Sequence, residues 1–344
     1  VKVYAFHIGD TKVPYGQFYG GDEWLGWRGM WRFLTDKSHY IIVPIYAFLI
    51  DHPRAGPIMV DTGINWRMAH EHNQYYDHWL FRLSLDEDEY RLTREQELGA
   101  HLKRTGYWAD EIETVILTHL HEDHLGEVQA FPRARFILTE EEWKARNLGI
   151  FRYREWSPSF SALDNPVEKV TYSSGPYYSF EKSQDLLGDG SIRLLPTPGH
   201  SRGHMSVLVQ KGGYQLLLTG DALYTLRHLA VEQVRAIVLG KKQLEQLFDS
   251  IRRVQRLRDA LPEMVIVPGH DHTRYLREYL DPFLADGVLS PEERQAIRDY
   301  EARLFEPGWR LAPSALPRFL PPADGGNVGA VTEPEIADMG TVRS

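Results

Sequence analysis

Short apolar or alternating runs recur along the chain at 1–7, 40–50, 58–60, 114–118, 135–138, 192–195, 205–209 and 214–219. Their length and their Val, Ile, Leu and Tyr content predict β-strands. Asp189-Gly190 ahead of the 192–195 run and Gly212-Gly213 between Val209 and Tyr214 predict hairpin turns. Apolar residues recur at helical spacing over 94–105, 140–147, 241–260, 273–284 and 291–303. The last of these opens on Ser290-Pro291-Glu292-Glu293, an N-cap followed by proline at the first helical position. Strands thus come in clusters separated by single helices, which is neither a strict βαβ alternation nor an all-β chain. The pattern predicts a layered α/β (α+β) fold, with sheets inside and helices outside.

Two stretches depart from it. Residues 64–92 mix aromatics, histidines and acids, and 148–184 is rich in Tyr, Ser and Pro. The expected organisation is one domain over 1–305 with insertions at 64–92 and 148–184. A Pro/Gly-rich tail follows over 306–344. The run Trp24, Trp27, Met30, Trp31, Phe33 has three readings: core packing, a dimer contact, or a hydrophobic groove.

Composition narrows the chemistry. The 344 residues include 15 histidines and no cysteine. Disulfides, iron–sulfur clusters, Cys-based zinc ribbons and thiol nucleophiles are therefore excluded. A transition metal here must be held by His nitrogen and Asp/Glu oxygen. The net charge, 39 minus 48, is −9, and no Lys/Arg-rich block runs along the chain, so no nucleic-acid partner is expected. The longest apolar run, Ile41–Ile50, is interrupted by Pro44 and falls short of the ~20 residues of a membrane span. No membrane partner is expected. The chain opens on a strand pattern with no signal-peptide core, and a cytoplasmic enzyme is the expectation.

The densest candidate site is Thr118-His119-Leu120-His121-Glu122-Asp123-His124-Leu125-Gly126, directly after the apolar run Thr114–Leu117. In extended backbone His119 and His121 point the same way and can share one cation. Where the chain turns into a helix, Asp123 and His124 diverge toward a second cation. Three further strands end on candidate ligands: Thr197-Pro198-Gly199-His200 with His204 beyond it, Thr219-Gly220-Asp221, and Pro268-Gly269-His270 with His272 beyond it. Rigid strands aiming polar residues from loops is how sites form on layered α/β scaffolds.

This series, HxHxDH and then His, Asp and His in those loops, resembles the metallo-β-lactamase-fold hydrolases. The likeness extends from Ile58 to His270 and includes the turn Val60-Asp61-Thr62-Gly63. It implies an αββα sandwich of two mixed β-sheets with outer helices. It further implies that His119, His121 and His200 bind one metal, that Asp123, His124 and His270 bind another, and that Asp221 bridges them with a hydroxide. Two divalent ions are expected, zinc first, with Fe, Co or Mn compatible with such ligands. Within that superfamily, Gly220-Asp221-Ala222-Leu223-Tyr224-Thr225 resembles the quorum-quenching N-acyl-homoserine lactonases, which carry a tyrosine three residues after the bridging aspartate. Helix 241–260 leading to His270 fits the same group. The resemblance implies a lactone substrate and a homodimer. Residues 1–35 and both insertions fall outside it, so it does not describe the substrate pocket.

The expected reaction is opening of a lactone ring by a metal-bridging hydroxide. Tyr224 would polarise the carbonyl oxygen and Asp123 would deliver a proton to the departing alkoxide. Asp123 could instead be a ligand only, and Tyr224 could pack in the core with its hydroxyl satisfied. His204 and His272 are expected to support the site without ligating. Asp61 is expected to fix a turn or orient a ligand histidine. His70, His72, His78, His101 and His228 read as surface or satisfied polar residues.

A glyoxalase II-like thioesterase is the alternative hydrolase. A β-lactamase would carry cysteine at the bridging position. A flavodiiron reductase would carry Glu at position 121 and a flavodoxin-like domain. A processing nuclease would carry a basic face, and a non-catalytic metal-binding scaffold would have lost some of the seven ligands.

Overall fold

The computed structural model describes residues 1–36, 40–76, 89–145, 157–161, 163, 166–230, 240–272 and 286–304. The expected helix 273–284 and the tail 306–344 lie outside the described residues, as do His78 and parts of both expected insertions.

Seven strands form one sheet: β1 (Lys2–Pro14), β2 (Tyr40–His52), β3 (Gly56–Val60), β4 (Tyr90–Arg91), β5 (Thr114–Ile116), β6 (Arg135–Thr139) and β7 (Val167–Val170). Their order is β4-β1-β2-β3-β5-β6-β7. A second sheet of five has the order β12-β11-β10-β9-β8. Its strands are β8 (Gln184–Asp185), β9 (Ile192–Pro196), β10 (Met205–Lys211), β11 (Tyr214–Leu218) and β12 (Val265–Val267). Both sheets are mixed: β3, β5, β6 and β7 run parallel in the first, β11 and β12 in the second, and the other pairings are antiparallel.

The period of two decides which side chain faces where. Phe48 and Ile50 of β2 and Ile58 and Val60 of β3 join one core with Val207, Val209, Leu216 and Leu218 of the second sheet. The intervening Ala47, Leu49 and Met59 turn to the opposite face, against Leu98 and Leu102 of the helix Leu98–Thr105. One face of the large sheet thus packs sheet on sheet and the other takes helices. The helix Lys241–Ala260 adds Leu247, Ile251, Val254 and Leu257 to the inter-sheet core, a stripe at helical spacing.

Several elements differ from expectation for identifiable reasons. β1 continues past residue 7 to Pro14 through a bulge between His7 and Asp10. Gly9 sits there at φ +93, and a Cβ would lie 2.4 Å from the Arg91 carbonyl of β4. The polar sequence at this bulge hides the strand, which pairs with β2 on both sides of the bulge. The Gly212-Gly213 hairpin forms as a two-residue turn between Lys211 and Tyr214. The turn at Asp189-Gly190 is wider, because Asp185 accepts from the Gly188 and Gly190 amides and holds 186–191 as a loop. The 15–35 segment forms two helices, Tyr15–Tyr19 and Gly26–Thr35. Trp24 is buried between them against Gly16, Gly20 and Gly29, whereas Trp27 and Trp31 are 76% and 69% exposed. Among the described residues no helix is long and apolar enough to cross a membrane.

Candidate metal centre

The strand ends expected to carry ligands do converge. His119, His121, His200 and Asp221 form one group, and Asp123, His124 and His270 form another, with one donor atom from each residue within 4.8 Å of the others in its group. In the first, His119 Nε2, His121 Nδ1 and His200 Nε2 stand 2.7–3.1 Å apart. Asp221 Oδ2 lies 3.1 Å from His200 Nε2 and 3.7 Å from His119 Nε2. The other oxygen, Oδ1, lies 3.1 Å from His270 Nε2 and 3.3 Å from His124 Nε2. Asp123 Oδ2 completes the second group, 3.3 Å from His270 Nε2. One carboxylate therefore faces both clusters. Gly269 permits this, since a Cβ there would lie 2.6 Å from Asp221 Oδ1.

What lies behind each ring determines which nitrogen faces inward. Asp61 accepts from the Thr118 amide and hydroxyl, each at 2.8 Å, and from His124 Nδ1 at 2.8 Å. Its own backbone sits in the left-handed region at φ 57, which aspartate tolerates better than most residues. With its proton committed to Asp61, the Thr118 hydroxyl accepts from His119 Nδ1 at 3.1 Å. His270 Nδ1 donates to the Pro44 carbonyl at 2.8 Å, across 226 residues of sequence. His200 Nδ1 faces the Tyr224 hydroxyl at 3.2 Å. With Nδ1 of His119, His124, His200 and His270 acting as donor, the four Nε2 atoms present lone pairs inward.

Four bare imidazole nitrogens and a carboxylate directed at one another need cations between them. Burial, then the neighbouring His124, His121 and His200, hold the His119 imidazole well below its ordinary value. Burial opposes charge on His124 and His270 as well, but Asp221 and Asp123, joined on His124 by Asp61, outweigh it and raise both. Burial likewise opposes a charged Asp221, yet His270, His124 and His200 hold it well below the carboxylate range. Without metal the acids draw protons onto the second cluster; divalent cations satisfy the same charges and release those protons. The donor set, all His and Asp, fits zinc or another divalent transition ion.

The remaining expected residues take supporting places. His204 accepts the Asp221 amide at Nε2 (3.0 Å) and donates from Nδ1 to Thr197 (2.9 Å), fixing the backbone that carries the shared carboxylate. His272 bonds to the Tyr19 hydroxyl at 2.8 Å, and burial with Arg227 nearby lowers it to about 4, so it is neutral. His228 donates from Nε2 to the Phe18 carbonyl, and His70 to the Leu92 carbonyl. Tyr224 is buried, with Phe18 stacked on its ring at a 4.4 Å centroid distance.

Sequence reasoning missed four contributors. Phe18 and Tyr19 come from an aromatic stretch with no site-like spelling. Pro44 contributes only a backbone carbonyl. Glu142 closes the sequence Thr139-Glu140-Glu141-Glu142, which reads equally well as an ordinary helix capping box. The helix Lys241–Ala260 also holds the His200 loop: Ser250 donates to the Pro198 carbonyl and Gln243 to that of His200. Gly199, at φ 136, lies so close that a Cβ would meet Leu247 at 2.3 Å.

The two facing sheets and the paired clusters at their strand ends define a metal-dependent hydrolase, and residues 41–270 match the metallo-β-lactamase superfamily. The chain belongs to that superfamily. Among its relatives is the N-acyl homoserine lactonase AttM of Agrobacterium fabrum, 29% identical over 242 residues, 67% of this chain and 82% of the relative. An N-acyl homoserine lactonase of Bacillus cereus is 31% identical over 234 residues, with the same coverage. In three dimensions the chain resembles an N-acyl homoserine lactone hydrolase holding N-hexanoyl-L-homoserine at its catalytic metal centre. That match has a TM-score of 0.60 at 23% identity, over 79% of this chain and 93% of the other.

Proposed function

We propose that this protein hydrolyses the ring ester of N-acyl-homoserine lactones or related lactones, using a pair of divalent metal ions held by His119, His121, Asp123, His124, His200, Asp221 and His270. The observation that carries this reading is the Tyr224 phenol standing beside the paired clusters, in a chain related over two-thirds of its length to lactonases. When bound, the metal ions supply Lewis-acid polarisation and a water nucleophile at neutral pH. The protein's own groups do the rest. Tyr224 accepts from His200 Nδ1, and a hydroxyl that accepts a hydrogen bond is a stronger donor in turn. It would donate to the carbonyl oxygen as charge develops there.

Asp123 is suited to moving a proton. Its side chain is 17% exposed, against 0–4% for His119, His124, His200, Asp221 and His270. It can therefore exchange with solvent and protonate the leaving alkoxide. Phe18 and Tyr19 cover the Tyr224 side and exclude water there.

The test is proton release by purified protein given homoserine lactones of varied acyl length, simple γ- and δ-lactones, and a glutathione thioester. Turnover of the lactones supports the proposal. Thioester turnover with every lactone inert would overturn it.

A further inference from the structure

Glu142 is 1% exposed and lies outside both metal clusters, yet it touches the loops that carry three of the ligands. Its Oε1 accepts from the Leu120 amide at 3.1 Å, between His119 and His121. Its Oε2 accepts from the Ser201 hydroxyl at 2.7 Å and the Gly203 amide at 2.9 Å, just beyond His200. The two loops leave different sheets, the first following β5 and the second following β9. Nearby, Thr139 donates from its hydroxyl to the Gly203 carbonyl at 2.7 Å and accepts from the Glu142 amide at 3.1 Å. Gly203 fits so tightly that a Cβ would lie 2.2 Å from both the Glu142 nitrogen and the Thr139 hydroxyl.

In sequence, Thr139-Glu140-Glu141-Glu142 spells an ordinary helix capping box, in which the glutamate would turn back to the cap residue's own amide. Here threonine caps the helix Glu140–Ala145, but the glutamate side chain reaches out to the ligand loops instead. A buried carboxylate with three donors from two loops is a rigid clamp. Leu120 stands between His119 and His121 and Ser201 directly follows His200, so these bonds flank the three histidines of the first cluster.

We infer that Glu142 is a positioning residue that sets the metal affinity of the His119/His121/His200 cluster selectively, by clamping the loops that carry those three ligands to each other. The inference rests on the reading of both clusters as metal sites. The clamp holds three donor nitrogens converged before metal arrives, so its loss lets the loops separate and weakens that cluster. His124 and His270 are held from behind by Asp61 and the Pro44 carbonyl, bonds that do not involve Glu142.

The test is zinc titration, against a competing chelator, of full-length protein stripped of metal. Wild type, Glu142→Gln and Ser201→Ala are compared, each also in a His270→Ala background that disables the second cluster. Replacing the carboxylate with an amide places an N–H group against donors. Glu142→Gln should therefore weaken zinc at the first cluster about 10- to 100-fold. Ser201→Ala, which removes one donor, should act in the same direction by less, and carries the test if Glu142→Gln does not fold. Activity lost in Glu142→Gln should return as zinc is raised, a rescue that helix capping alone would not give. Unchanged zinc affinity at the first cluster in both variants, read in the His270→Ala background, would overturn the inference, as would equal weakening of the second cluster read alone in a His200→Ala background. Wild-type protein holding fewer than two equivalents would instead overturn the dinuclear reading, and the inference with it.

Discussion

Tyr224 and Asp61 are both single side chains standing behind a histidine of the paired clusters, and their removal should have opposite signatures. Tyr224 bonds to His200 through one hydroxyl, and its ring is held independently by Phe18. Tyr224→Phe should lower kcat by about 10²-fold, the cost of losing one oxyanion donor. Zinc content should stay at two equivalents, and unchanged kinetics with lactone would remove Tyr224 from the reaction. Asp61 combines a left-handed backbone with three hydrogen bonds, to the Thr118 amide, the Thr118 hydroxyl and His124. Asp61→Asn keeps a residue suited to that backbone but loses the anionic acceptor of His124. It should weaken zinc at the second cluster about 10- to 100-fold, measured by chelator competition, with the fold intact by circular dichroism.

At the scale of elements, the turn 61–63 and the helix Glu122–Leu125 are tied together, by the Thr62 amide to the His124 carbonyl and the Gly126 amide to the Gly63 carbonyl. Glu127 lies at the end of this link, its amide donating to Thr62. Burial, with the Glu97 carboxylate nearby, pushes its carboxyl up to about 7. Between its unfolded value near 4.3 and 7, the folded chain holds a proton that the unfolded chain has released. Stability therefore falls as pH rises through that window. Glu127→Gln should raise Tm at pH 8 and change it little at pH 4; equal Tm shifts at both pH values would contradict the assignment.

The legibility of the sequence also divides by element. The convergence of the strand-end residues could be read because each follows a short apolar run bounded by turn residues, the pattern of a buried strand. The capping-box spelling around Glu142 could not be resolved, because local geometry satisfies it equally well with or without the loops it holds. β7 and β4, inside stretches set apart as insertions, were missed because they are short edge strands without clear alternation. The helices at 15–35 were missed for a different reason: their aromatics are divided between core and surface, so no single periodicity marks them.

Across the whole molecule, the seven converging residues come from both sheets. His119, His121, Asp123 and His124 follow β5 of the large sheet, and His200, Asp221 and His270 follow β9, β11 and β12 of the small one. Bound metal would therefore join the two layers at one edge of the sandwich. Stripping it with a chelator should lower Tm, by the equivalent of about 4 kcal/mol where free metal had stood at a thousand times its dissociation constant. Hydrogen-exchange protection should fall first at the β5, β9 and β12 ends, and equal loss across the sandwich would contradict this stitching role.

The shared carboxylate has one more consequence. Asp221 cannot be oriented for one cluster without its other oxygen being oriented for the second. With metal at both clusters the two binding equilibria would be thermodynamically linked, each occupancy changing the affinity of the other by the same factor, and an Asp221 already oriented by the first ion favours the second. Loading should be cooperative, with a singly loaded species scarce at half saturation by native mass spectrometry. In a cell where metal supply fluctuates, such a protein would switch between empty and fully armed populations, with few half-assembled copies between them.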